Sequence, residues 1–188
     1  SSYPNKPVIL GNRLKFLHND RFGLKSYGSA SFANSLFLDN GGTCCQQYYT
    51  WASLHIDGGA DGFFTNNRIL DTGSGATALL NEGSETIFHN NVVEHLSGKA
   101  YHGYNSYNDR DAYFTGNTIK GDVQYGNHFY ATTFMDSAFS GVYMGQNSGG
   151  GDRTFQYNHF AWSSPTTDTQ IEARNDETAC DPYTFSYY

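Results

Sequence analysis

One short pattern recurs along this chain and limits it to very few architectures: an apolar residue, two variable residues, an asparagine, one variable residue and a second apolar residue. The clear instances are Ile9-Leu10-Gly11-Asn12-Arg13-Leu14, Phe64-Thr65-Asn66-Asn67-Arg68-Ile69, Phe88-His89-Asn90-Asn91-Val92-Val93, Phe114-Thr115-Gly116-Asn117-Thr118-Ile119 and Phe155-Gln156-Tyr157-Asn158-His159-Phe160. A degenerate copy is Ser31-Phe32-Ala33-Asn34-Ser35-Leu36. The repeating positions are Asn12, Asn34, Asn67, Asn91, Asn117 and Asn158, at intervals of 22, 33, 24, 26 and 41 residues. A period in the low twenties marks an array of stacked units in which each unit buries its apolar face against the next. Around each asparagine the apolar and polar residues alternate with period two, as in Thr86-Ile87-Phe88-His89, and no long segment holds a helical period. The expectation is short strands meeting at asparagine corners. Asparagine tolerates left-handed backbone, and its amide can bond the asparagine of the next turn, so stacked corners would form an internal ladder.

A second register precedes each corner by ten to twelve residues, where His55-Ile56-Asp57, Leu79-Leu80-Asn81, Gly103-Tyr104-Asn105 and Gly145-Gln146-Asn147 end strand-like stretches. Two of these stretches share wording: Tyr101-His102-Gly103-Tyr104-Asn105-Ser106 beside Tyr143-Met144-Gly145-Gln146-Asn147-Ser148. With its corner asparagines, coil length and Gly-rich turns, the chain resembles the right-handed parallel β-helix of the pectin-lyase-like superfamily. The resemblance implies an all-β solenoid of about six coils over residues 1–162, followed by an irregular C-terminal cap or tail over 163–188. Members usually begin with a capping helix, whereas this chain enters its first coil by Val8. That departure suggests a fragment, or a subunit whose open end meets a neighbour.

Composition narrows the function classes. The formal charge is −7, from 11 Lys plus Arg against 18 Asp plus Glu, so no basic surface is expected to track a phosphate backbone and nucleic acid is not an expected partner. No apolar run reaches the ~18 residues of a membrane span, and Ser1-Ser2-Tyr3-Pro4 carries no signal-peptide pattern, so no membrane partner is expected. Cys44, Cys45 and Cys180 lack zinc-site spacing. Cys180 could close onto Cys44 or Cys45 in an oxidising compartment, or all three could be buried thiols. The resemblance implies an extracellular, virion or cell-surface location.

On a β-helix the outward side chains of one sheet form a shallow groove suited to an extended polysaccharide. With Ile56 and Leu80 taken as inward, alternation sends His55, Asp57, Leu79 and Asn81 outward with Glu82 at the turn, and the next coil brings Lys99, Tyr101, Gly103 and Asn105 to the same face. Asp57, Asn81, Asn105 and Asn147 then form a polar row, either substrate-binding or a second structural ladder. Uronate β-elimination needs a cation, for which Lys99 and Arg110 are candidates, and a base or acid, for which His102, Tyr101 and His55 are candidates. Glycoside hydrolysis instead needs two carboxyl groups, available from Asp57 with Glu82 or Asp61. Tyr107, with Tyr48, Tyr49, Trp51, Tyr101 and Tyr143, could stack on sugar faces.

No cofactor or metal site is expected. Calcium is conceivable on oxygens of Asp57, Asp61, Glu82 or Asp109, but no EF-hand loop or Gly-Gly-x-Gly-x-Asp array accompanies them. The chain also lacks the paired aspartates of polygalacturonases, the Asp-Pro-His-Asp of alginate epimerases and the Trp-Ile-Asp-His of classical pectate lyases. Two expectations follow: an extracellular lyase or glycosidase acting on a glycan along the groove, or a non-catalytic structural or glycan-binding subunit of a fibre, appendage or phage spike that stacks end to end or otherwise self-associates.

Overall fold

A computed structural model describes residues 8–40, 52–57, 61–72, 77–82, 85–103, 111–124, 128–135, 142–144, 154–161, 171–173 and 184–186. All regular structure among them is β, every pairing between strands is parallel, and no helix long and apolar enough to cross a membrane occurs. The strands fall into three stacks. The first pairs Ile9–Asn12, Ala30–Ala33, Gly62–Thr65, Glu85–His89, Asp111–Thr115, His128–Tyr130, Thr154–Gln156 and Thr184–Ser186 in that order. The second runs from Lys15–Leu17 through Leu36–Leu38 and Arg68–Asp71 to Thr133–Met135 and His159–Ala161. The third runs from Phe22–Ser26 through Ala52–Ile56 and Thr77–Asn81 to Val142–Met144 and Ile171–Ala173. Two long strands, Val92–Gly103 and Thr118–Gln124, pass through both the second and third stacks and fuse them into one twelve-stranded sheet. Irregular register between Glu94 and Tyr101 lets the first of them change face without a turn. This all-β, parallel arrangement is that of a β-solenoid.

The core follows from alternation. In the first stack the residues paired in register are Gly11, Phe32, Phe64, Phe88, Phe114 and Phe129, and the five phenylalanine rings point inward. Successive rings from Phe64 to Phe129 stack at 5.3, 4.7 and 4.7 Å, close to the ~4.8 Å between neighbouring strands. A ring of this kind repeats once per turn because the pairing dictates it. Gly11 ends the column: a Cβ there would collide with the Phe32 ring. Phe37, Ile69, Val93 and Ile119 from the second stack and Leu54, Leu79, Tyr101 and Val123 from the third complete the interior.

The corner between the first two stacks is two residues deep. Among the described residues the first corner position has left-handed backbone at Arg13, Asn34, Asn66, Asn90, Gly116, Ala131 and Tyr157, with φ between 47° and 67°. Behind it the buried position is held by Ser35, Asn67, Asn91, Asn117 and Thr132. The Asn67 and Asn91 amides each donate to the side-chain oxygen of the next asparagine at 3.1 Å and to a carbonyl one turn back, Phe32 or Phe64, at 2.9 Å. Asn158 accepts from the Thr132 N–H at 2.9 Å.

Two expected corner residues therefore shift. Asn34 occupies the left-handed position and Ser35 the buried one; Asn12 ends its strand opposite Ala33, and Leu14 stands where a buried asparagine was expected. Asn12 and Asn34 bond each other at 3.0 Å, exposed to solvent. The 41-residue interval conceals an extra turn at Ala131-Thr132. Strands Ile171–Ala173 and Thr184–Ser186, inside the segment expected to be irregular, pair in the third and first stacks.

Candidate functional site

Among the described residues, the end of the third stack's second and third strands brings together a group of three side chains able to ligate a metal or move a proton. Ile56 pairs with Asn81, so the residues that follow them, Asp57 and Glu82, lie one above the other just past the strand ends. Each is fixed by its own backbone, with the Asp57 N–H donating to Ser26 O at 2.8 Å and the Glu82 N–H to Ile56 O at 2.6 Å. His55, on the side of the strand opposite inward Leu54 and Ile56, sets its Nε2 3.2 Å from Glu82 Oε2. One ligating atom from each of His55, Asp57 and Glu82 lies within 4.8 Å of the others.

Burial divides the labour among them. The His55 side chain is 1% exposed, whereas Asp57 and Glu82 are 19% and 18% exposed, so the carboxylates face solvent with the imidazole behind them. Phe22 packs against the His55 ring, centroids 5.5 Å apart. Lys25, on the first strand of the stack, pairs with Asp57 at 2.7 Å and sits 4.8 Å from the Tyr27 ring centroid. Burial works against the Lys25 charge, but its hydrogen bonds to Asp57 and Tyr27 and their fields outweigh that cost and hold its pKa above the ordinary lysine value. Lys25 thus stays a cation at neutral pH. Sequence reasoning passed over Lys25 because the strand register was traced only from His55 onward; extending it one turn back aligns Lys25 with His55.

The other expected site residues separate from this group. Tyr101 is wholly buried, packed edge-on against the stacked Phe88 and Phe114 with centroids 6.5 and 4.8 Å away, and belongs to the core, not to a groove. Asn81 also faces inward, its side-chain oxygen accepting from the Thr86 hydroxyl at 3.2 Å. Both corrections have one cause. The register pairs Ile56 with Asn81, not with Leu80, and a one-residue slip moves every side chain to the opposite face. Gly103 accordingly faces inward and His102 turns out, aligned with Leu80 and His55 along the stack. Lys99 Nζ reaches His102 Nδ1 at 3.3 Å, a second, smaller pair beyond the buried Leu80. Asp61 immediately precedes the first-stack strand Gly62–Thr65 and is not among the three clustered residues. Asn105, Tyr107, Asp109, Arg110, Asn147, Tyr48, Tyr49, Trp51 and all three cysteines lie outside the described residues.

A feature that sequence reasoning did not isolate is the outer face of the first stack. Phe63, Ile87, Tyr113 and His128 align in register there, the first three exposed, with the Tyr113 and His128 rings stacked at 4.6 Å. Period-two alternation opposite the phenylalanine column was the available signal. No protein-family model, curated protein or solved structure matches the chain.

Proposed function

We propose that the chain is a right-handed parallel β-helix of the pectin-lyase-like kind, its corner amides forming an asparagine ladder, and that it acts outside the cell or on a virion or cell surface on an extended polysaccharide. The observation that carries the reading is the side-by-side, partly exposed pair Asp57 and Glu82, backed by His55 and flanked by Lys25. Between the two expected chemistries, this pair favours hydrolysis over elimination. Elimination requires a free cation to meet the uronate carboxylate. Here Lys25 is already engaged by Asp57, and two carboxylates on a chain of charge −7 repel an anionic sugar.

Hydrolysis with retention places its carboxyl groups about 5–5.5 Å apart, and inversion about 6.5–9.5 Å. One oxygen of each carboxylate lies within 4.8 Å of the other, which is nearer the retaining spacing than the inverting one. Asp57, held beside a cation, suits the nucleophile, which attacks the anomeric carbon as an anion. Glu82, bonded to the His55 imidazole, suits the group that gives a proton to the leaving oxygen and later takes one from water. His55 acts as a positioning residue, and His102 with Lys99 extends the polar line for neighbouring sugars.

The test incubates the protein with neutral and acidic polysaccharides, with and without calcium, and reads products by mass spectrometry. Saturated oligosaccharides from a neutral glycan are expected, with Asp57→Asn and Glu82→Gln each lowering the rate by about 10²-fold or more. Unsaturated products would replace hydrolysis by elimination. No product from any polymer would leave the non-catalytic stacking subunit, a reading supported by Val8, Leu10, Leu14 and Leu17, which are exposed at the outermost described turn.

A further inference from the structure

The same cluster has a second capacity, independent of whether it cleaves sugar. We propose that His55, Asp57 and Glu82 form a binding site for a borderline divalent cation of the Zn2+ class, held by one imidazole nitrogen and two carboxylate oxygens with a fourth position open to water or a sugar hydroxyl.

Geometry supports this more specifically than composition does. Zinc bonds of about 2.0–2.1 Å at the tetrahedral angle set neighbouring ligand atoms about 3.4 Å apart. Nε2 of His55 and Oε2 of Glu82 are 3.2 Å apart, so one edge of the tetrahedron is formed. The third ligand, from Asp57, lies within 4.8 Å of both and is held there by Lys25 at 2.7 Å. His55 is the residue that sets this apart from an acidic surface cluster. Its ring is fully buried, its Nε2 is turned to the cluster, and its Nδ1 meets no hydrogen-bond partner among the described residues. Imidazole nitrogen beside two carboxylates selects zinc-class ions over calcium and magnesium, which take oxygen.

Lys25 gives the site its distinguishing behaviour. Its ammonium occupies the same carboxylate that a metal would take, so ion and lysine compete for Asp57. A bound metal also withdraws both carboxylates from acid–base work, so occupancy would switch off the hydrolysis proposed above.

Isothermal titration of the full chain with Zn2+ after chelator treatment tests the proposal. One ion per chain is expected, with affinity at least tenfold weaker in Asp57→Asn and in Glu82→Gln, both on partly exposed side chains and both checked for native circular dichroism. Lys25→Met should bind several-fold more tightly, an effect that a general loss of structure does not produce. Absence of binding, or binding undiminished in both carboxylate variants, as it would be if cysteines held the ion, overturns the proposal. The two readings fail separately: zinc binding without cleavage leaves this site standing, and cleavage without zinc binding leaves only the hydrolase.

Discussion

Asn91 is the residue whose removal most directly tests the corner. Its amide nitrogen donates to Phe64 O at 2.9 Å and Asn117 Oδ1 at 3.1 Å, while its oxygen accepts from the Asn67 backbone N–H at 2.9 Å and the Asn67 amide at 3.1 Å. Asn91→Ala removes all four bonds from a site 1% exposed. A net contribution of about 0.5–1.5 kcal/mol per bond gives roughly 2–6 kcal/mol, the upper part applying because the Asn67 N–H and Phe64 C=O are left buried and unbonded. For a chain of this size that is a fall in Tm of about 2–4 °C per kcal/mol, or roughly 8–16 °C for a central value of ~4 kcal/mol. The comparison is Asn34→Gly, which loses one solvent-exposed bond to Asn12, keeps the left-handed backbone accessible and should cost no more than about 0.5 kcal/mol. Urea unfolding followed by circular dichroism measures both. A cost below about 1 kcal/mol for Asn91→Ala, or equal costs for the two variants, would refute the two-position corner.

Phe88→Ala takes one ring from the middle of the column, between Phe64 and Phe114, and should destabilise by about 3–5 kcal/mol in the same assay. Tyr101 gives a pH signature: burial pushes its phenol well above the ordinary 10.0, with Asn81 acting in the opposite direction. Folded protein then holds the Tyr101 proton after unfolded chains release theirs, so its contribution is flat below about pH 10 and falls above it by up to about 1.4 kcal/mol per pH unit. Urea midpoints of wild type and Tyr101→Phe between pH 9 and 11 should therefore diverge with the wild type losing more; parallel curves would place the hydroxyl in solvent.

The asparagines at 67, 91, 117 and 158 were legible because the buried corner recurs with the pairing register and few other side chains can bond two turns at once. Asn34 misled for a physical reason. The left-handed residue beside the corner also favours asparagine, as at Asn66 and Asn90, so a lone Asn followed by Ser fits either position. Ala131-Thr132 hid a whole turn, since a threonine can hold the buried place, its N–H reaching Asn158, without resembling the repeat. At the site, the outward faces of His55 and Asp57 were legible, while those of Asn81 and Tyr101 were not. His55, named for one chemistry, and Asp57 and Glu82, named for another, lie together, but pairing Asn81 with Ile56, where sequence had paired Leu80, sends Asn81 and Tyr101 inward. Only register distinguishes the two, and register is fixed by hydrogen bonds that sequence does not display.

The two strands that run unbroken through both the second and third stacks have a mechanical meaning. In an array whose units touch only their neighbours, disorder advances as a front from either end, and at most turns one face can let go while the others hold. Where Val92–Gly103 and Thr118–Gln124 span two faces without a corner, that piecemeal release is denied: the front has to free both faces together. Among the described residues the two faces are thus tied at these strands, and the cluster of His55, Asp57 and Glu82 sits on strands just before that tie.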